Sequence, residues 1–278
     1  MRLLAIGCFH GKFPKGLKRY VRANGIDAVL ALGDFPGERL RSYEQSFVLM
    51  RKNEYSFYVF QEATASSKRF KKLKKLDGED GVKILKRLDS LGIPVFVIHG
   101  NHDETRRDPW FAGGSMLLED VVRKLKNMTY LDYAKSNVGG YDLVFLGCKY
   151  PNMRGDERGS ARKKKLRVRK EERSKLVKLI MDPRKTIIVA HQPPYMTKLD
   201  RVNDKRVPGY GHHFGDDVLR LVIEKKKPAL VLCAHFHENQ GTQKIGKTLV
   251  VCTGYGAKGQ AAVIELKKRL HVKLVRVR

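Results

Sequence analysis

The chain has 278 residues and carries 57 lysines and arginines against 29 aspartates and glutamates, a formal charge of +28, with 42% hydrophobic residues. That apolar fraction excludes a disordered chain, and no apolar run approaches the roughly 20 residues that cross a bilayer. The excess of base over acid is not the matched lysine and glutamate enrichment of a thermophile surface, and it favours contact with a polyanion.

From the N-terminus, Leu3–Cys8 reads as a buried strand that starts almost at once, which argues against a secretory leader. Leu17–Ala23 reads as a helix and Ala28–Leu32 as a second strand. Ser42–Arg69 is rich in aromatic residues (Phe47, Tyr55, Phe57, Tyr58, Phe60) and reads as local core rather than as a base-stacking platform. Gly81–Leu91 follows as a helix, Pro94–His99 as a strand, Leu117–Lys126 as a helix and Leu143–Cys148 as a strand. Tyr150–Arg169 is polar, basic and glycine-containing, and reads as a long loop. Lys170–Met181 is helical, Thr186–Ala190 a strand, and Asp216–Lys226 a helix with acidic residues suited to its N-terminus. Ala229–Cys233 and Thr248–Cys252 are strands, and Gln260–Leu266 with His271–Val277 form a closing hairpin. In its second strand Val272 and Leu274 share one face and Val275 and Val277 the other, which asks for a bulge or for cover on both faces. Strands alternating with helices give an α/β fold, read as one domain over residues 1–278 because no repeat or Pro/Gly-rich linker interrupts it.

Basic residues gather in runs at Lys68–Lys75, Arg162–Lys170, Lys225–Lys227 and Lys267–Arg278. Each alone is a solvated face; on one side of the fold they would line a phosphate track, so nucleic acid is the expected partner. The four cysteines, Cys8, Cys148, Cys233 and Cys252, form no CxxC pair and no disulfide framework. The expected setting is reducing and cytoplasmic, without a membrane partner.

The chemistry sits at the strand ends. His10 follows the first strand, Asp34 the second, Asn101 and His102 the third, His191 the Thr186–Ala190 strand, and His235 with His237 the Ala229–Cys233 strand. Open α/β sheets bind ligands beyond the carboxyl ends of their strands, so five strands would deliver polar groups to one rim. Imidazole, carboxylate, amide oxygen and thiolate are the donors that divalent ions use, and a carboxylate such as Asp34 can be shared by two ions. Taken one at a time, each histidine has the plainer reading of a surface or satisfied core residue. The repeated placement and the compact patterns Gly33-Asp34, Gly100-Asn101-His102 and His235-Phe236-His237 weigh against it.

In order, Cys8-Phe9-His10, Gly33-Asp34-Phe35-Pro36-Gly37, Gly100-Asn101-His102-Asp103, His191 and Ala234-His235-Phe236-His237 resemble the calcineurin-like metallophosphoesterases, whose blocks run DxH, GDxxG, GNH[DE], H and GHxH. The resemblance spans residues 8–237. It implies a four-layer αββα sandwich of two mixed β-sheets flanked by helices, and a dinuclear centre of two divalent ions, Fe2+/Zn2+ or Mn2+, that hydrolyses phosphoesters. Carried over, His10, Asp34 and His237 hold one ion, with Cys8 where the family has aspartate. Asp34, Asn101, His191 and His235 hold the other. His102 stabilises or protonates the leaving oxygen and Asp103 orients it, the alternative for Asp103 being a helix N-cap.

Cys8, with the Ala234 block, is similar to the RNA lariat debranching enzymes, although the long C-terminal region of that branch is not seen. Cys8 is read as a thiolate ligand favouring Fe2+ or Zn2+, as a non-ligand that leaves a one-metal enzyme, or as a small buried hydrophobe. The loop from Gln192 to Gly215, with Lys198, Arg201, Lys205 and Arg206, either faces substrate phosphates or is an ordinary exposed loop. The function that follows is a metal-dependent phosphodiesterase on nucleic acid, RNA slightly favoured. The alternatives are a phosphomonoesterase or small cyclic-nucleotide diesterase, and a nucleic-acid-binding protein on an inactive phosphoesterase core.

Overall fold

Alternation along the strands decides the layering. In a computed structural model, which describes residues 1–43, 64, 66–106, 116–148, 159–205 and 209–277, the first sheet is built from β1 (Arg2–Ile6), β2 (Ala28–Ala31), β3 (Val95–Val97) and β4 (Met128–Tyr130). The chain then builds a second sheet from β5 (Ala134–Val138), β6 (Tyr141–Leu146), β7 (Thr186–Ala190), β8 (Leu230–Cys233), β9 (Gly241–Ile245) and β10 (Thr248–Cys252). It returns to the first sheet with β11 (Gln260–Glu265) and β12 (His271–Arg276). Among the described residues the strand orders are β12-β11-β1-β2-β3-β4 and β5-β6-β7-β8-β10-β9, and both sheets are mixed.

Leu3 and Ala5 of β1 and Leu30 of β2 face Phe145, Val189, Leu232 and Val251 of the second sheet. Their neighbours Leu4, Ile6, Val29 and Ala31 point the other way, onto α1 (Leu17–Ala23) and the inner side of α2 (Lys68–Asp89). On the far side, Val144, Ile188, Val231 and Val250 meet Leu176 and Ile180, at the C-terminal end of α4 (Gly159–Leu179), and Leu219 and Val222 of α5 (Asp217–Lys226). The short helix α3 (Leu118–Val122) completes the first outer layer. Each fully buried Leu, Ile or Val contributes ~1.5–3 kcal/mol, so strands apolar on both faces are what hold four layers together. The expected αββα sandwich is the fold observed.

Several elements differ from expectation, each for a physical reason. Helix α2 begins at Lys68, capped by the Ser67 hydroxyl accepting from the Phe70 amide at 3.0 Å, and not at Gly81. Its first half buries Lys74 and Asp77 on the inward face, so the apolar periodicity is lost where polar residues do the packing. Helix α4 takes in residues 159–169, placed in a loop by their basic composition; lysine, arginine, leucine and alanine are all good helix formers. Strands β4, β5 and β9 went unseen because they are edge strands, β4 short and β5 and β9 alternating polar with half-buried residues. Strand β12 pairs with β11 from His271 to Arg276 without a bulge. Val272 and Leu274 join the core between the sheets, and Val275 and Val277 join the helix side. The aromatic residues Phe47, Tyr55, Phe57, Tyr58 and Phe60 lie outside the described residues. No described helix is long and apolar enough to cross a membrane, and all four cysteines are buried.

Candidate metal centre

The loops leaving β1 and β2 run side by side. The amides of Cys8, Phe9, His10 and Gly11 donate in turn to the carbonyls of Gly33, Asp34, Asp34 and Phe35 at 2.9–3.0 Å. Cys8, His10, Asp34 and His235 hold φ of +58°, +45°, +59° and +68°. Left-handed backbone at a residue with a side chain costs about 1–3 kcal/mol, and here it recurs at four of the expected ligands. Two glycines explain how closely the loops approach. Gly33 (φ +87°) lies against the backbone of Gly100, and a Cβ on Gly100 would strike the Asp34 carboxylate and the His191 ring.

The seven expected ligands converge. His10 Nε2 lies 3.0 Å from His237 Nε2 and 3.6 Å from Asp34 Oδ2. His191 Nε2 lies 3.4 Å from the same Oδ2, 3.1 Å from Asn101 Oδ1 and 3.2 Å from His235 Nδ1. Cys8 Sγ is 3.9 Å from Asp34 Oδ2 and accepts from the His235 amide at 3.2 Å. Donor atoms of Cys8, His10 and His237, and of Cys8, Asp34 and His191, lie within 4.8 Å of one another. A single carboxylate oxygen of Asp34 therefore stands between two donor groups.

The donor set fits divalent ions. Donors sharing an ion at ~2.0–2.1 Å stand ~3–3.4 Å apart, the spacing of these nitrogen and oxygen atoms except His10 Nε2 and Asp34 Oδ2, which stand slightly wider at 3.6 Å. Burial pushes the imidazoles of His10 and His237 down to about 2 and about 4, so both rings are neutral and offer lone pairs. Burial alone would raise Asp34, but His191 and His102 overcome it and hold the carboxyl well below the usual range. His191 Nδ1 lies 2.6 Å from the Leu32 carbonyl, which accepts the Nδ1 proton and leaves Nε2 as the donor atom.

The two expected catalytic residues are differently placed. The His102 ring is half-buried, edge-on to His10 at 5.1 Å, and its amide donates to Asp34 Oδ1 at 2.9 Å. Asp103 is a tie between loops. Its Oδ2 accepts from the amides of Asp34 (2.6 Å) and Gly100 (2.7 Å), and its Oδ1 from Phe35 (3.0 Å). These three amides are the bonds that the structure gives the carboxylate expected to orient His102 or to cap a helix. Burial and the charge of Asp34 push its carboxyl up to about 7, against the pull of those three amides.

The sequence reading missed an outer ring of contacts. Tyr255 stacks on His237 with centroids 4.1 Å apart and planes 10° apart, and its hydroxyl donates to Glu38 Oε2 at 3.4 Å. Glu38 Oε1 lies 3.5 Å from both His10 Nδ1 and Arg41 Nη1. From α2, Lys74 pairs with Glu104 at 2.6 Å, and Asp77 accepts from the amides of Arg39 and Leu40 at 3.0 and 2.8 Å. Tyr255 had a usable signal, since Gly254-Tyr255-Gly256 follows β10 just as the other site residues follow their strands. Lys74 had none, being hidden in a basic run.

Comparison with known proteins agrees with this geometry. A profile of the calcineurin-like phosphoesterase family matches residues 1–239. An uncharacterized protein of Methanocaldococcus jannaschii is 25% identical over 176 residues, which cover 62% of this chain and 69% of that one. A solved structure from Thermus thermophilus aligns over 100% of this chain and 99% of its own, with a TM-score of 0.55 and 16% identity. A purple acid phosphatase from yellow lupin (Lupinus luteus) seeds aligns over 100% of this chain and 51% of its own, with a TM-score of 0.51 and 11% identity. At such identities the two structures speak for the fold alone.

Proposed function

The chain belongs to the calcineurin-like phosphoesterases, and from that premise we propose that it is a metal-dependent phosphodiesterase that hydrolyses nucleic acid, RNA favoured, at a dinuclear centre. The observation that carries this reading is the Asp34 carboxylate oxygen, 3.6 Å from His10 Nε2 on one side and 3.4 Å from His191 Nε2 on the other. Asp34, Asn101, His191 and His235 would hold one ion, and Cys8, His10 and His237, with Asp34 shared, the other. When bound, the ions supply Lewis acidity and a nucleophile at neutral pH.

The protein's own groups do the rest. His191 keeps its tautomer through Leu32, and Asp103 fixes the backbone that carries Asp34. His102, beside His10, reaches the leaving oxygen. Burial holds its imidazole below the ordinary value, so near pH 7 the neutral ring steadies that oxygen by hydrogen bonding.

The charge supports a polyanionic substrate. Lys68, Arg69, Lys71 and Lys72 on α2, in one outer layer, and Lys163, Arg167, Lys170 and Arg173 on α4, in the other, are exposed, so these two basic runs lie in opposite layers of the sandwich and not on one side. A substrate touching several such residues displaces counterions, so log K falls with log[salt] by ~0.7–0.9 per phosphate contact, whereas a small phosphoester gives a shallow slope. The test is turnover of branched RNA, linear RNA, DNA and a chromogenic diester in parallel, without oxygen, with Fe2+, Zn2+ or Mn2+. Cleavage of nucleic acid with a steep salt dependence is expected. Turnover of the small diester alone, with a shallow slope, would make the protein a small-molecule phosphoesterase, and no turnover with any metal would mark an inactive core.

A further inference from the structure

The described residues gather exposed aromatic rings in one loop. The segment between β7 and α5 carries the rings of Tyr195, Tyr210 and Phe214 at 39, 47 and 44% exposure. Rings so exposed contribute little to the core, yet the loop beneath them is firmly built. Asp200, fully buried, accepts from the Thr197 amide at 2.7 Å, the Gly215 amide at 2.9 Å and His213 Nδ1 at 2.8 Å. His213 stands edge-on to the Tyr195 ring with centroids 6.3 Å apart. The Phe214 ring packs over Gly209, next to Tyr210. Backbone bonds from Val202 to His212 (3.0 Å) and from Gly211 to Val202 (2.8 Å) tie Val202 to the stretch that follows Tyr210.

The loop is also anchored to the metal centre. It leaves β7 at His191. Asn239, two residues beyond His237, donates to the carbonyls of Leu199 (3.2 Å) and Arg201 (2.8 Å) and accepts from Asn203 at 2.7 Å. Lys198, Arg201 and Lys205 of the same loop are exposed, beside the half-buried Asp204 and the buried Asp200. Exposed aromatic rings and cations on one loop are what single-stranded nucleic acid uses, bases on the rings and phosphates on the cations. The charge of +28 makes a polyanion the complementary occupant.

We propose that this loop is a base-stacking subsite for a single-stranded nucleic acid whose scissile phosphate lies at the metal centre, with Tyr195, Tyr210 and Phe214 under the bases and Lys198, Arg201 and Lys205 on the phosphates. It rests on the nucleic acid reading above and adds which residues recognise the strand. The test is fluorescence anisotropy with labelled oligouridine and oligothymidine, with a chelator present so that nothing is cut. Tyr210→Ala and Phe214→Ala should each weaken binding by on the order of ten-fold, Tyr210→Phe should bind as wild type does, and bis(p-nitrophenyl) phosphate turnover with Mn2+ should be equal in all four proteins. Binding of either polymer in this pattern supports the subsite. Wild-type binding that both alanine variants match would overturn it and leave the nucleic acid reading intact. Wild type binding neither polymer would contradict the nucleic acid reading itself. A sedimentation-detected dimer dispersed by Phe214→Ala would assign the rings to a second copy of the chain and overturn the subsite.

Discussion

Asp34→Asn should lower kcat/KM by about a thousand-fold or more, ~4 kcal/mol of transition-state stabilisation, and should empty both metal positions together. The reason is the shared oxygen: Oδ2 faces His10 on one side and His191 on the other. The amide is isosteric, and its remaining carbonyl oxygen can still accept from the His102 backbone, a bond made by Oδ1 at 2.9 Å in the native protein. The fold should therefore persist, and circular dichroism of the metal-free variant should match wild type. His191→Ala should differ in kind. It removes a donor from the group with Asn101 and His235, so the group of Cys8, His10 and His237 should keep part of its metal. The check is metal content per chain beside steady-state rates for the three proteins. Two retained ions, or a rate within ten-fold of wild type, in Asp34→Asn would mean that this carboxylate is not the bridge.

Cys8 should give the site a pH dependence that an aspartate would not. Burial, reinforced by the charge of Asp34, pushes its thiol well above the ordinary cysteine value. In the metal-free protein the thiol is therefore protonated at neutral pH, and binding an ion through sulfur must release that proton. Affinity at the position formed with His10 and His237 should rise as pH rises, by about ten-fold per unit while the thiol stays below its pKa. A carboxylate at the same place is ionised already, so Cys8→Asp should show a flatter profile over pH 6–8 and should shift preference from Zn2+ or Fe2+ towards Mn2+. Peroxide should inactivate wild type and spare Cys8→Asp. Calorimetric metal titrations at three pH values decide it. Equal slopes in the two proteins would leave Cys8 as a packed side chain or a non-ligand beside a one-metal centre.

Legibility followed the kind of contact involved. Central strands such as Thr186–Ala190, apolar on both faces, stood out in the sequence, and the site residues at their carboxyl ends stood out with them. Edge strands β5 and β9 did not, because one side of each meets water and their composition reads as loop. Helix α2 was half visible: Ile84, Leu85 and Leu88 keep helical period, while Lys74 and Asp77 face inward as polar buttresses whose partners Glu104 and Arg39 lie far away in the chain. The motif residues could be read in order, but the bonds of Asp103 to three backbone amides could not. Only the fold brings the amides of Asp34, Phe35 and Gly100 around one carboxylate. The Tyr255 stack on His237 likewise depends on β10 lying beside β8 in the second sheet.

The most direct measurement is anomalous diffraction from crystals of protein purified without oxygen and supplied with Zn2+ or Mn2+. The account predicts two anomalous peaks per chain about 3.5–4 Å apart, one on either side of Asp34. The first should be contacted by His10 and His237, the second by Asn101, His191 and His235. No peak at this rim, or a single ion that leaves either group of donors bare, would contradict it.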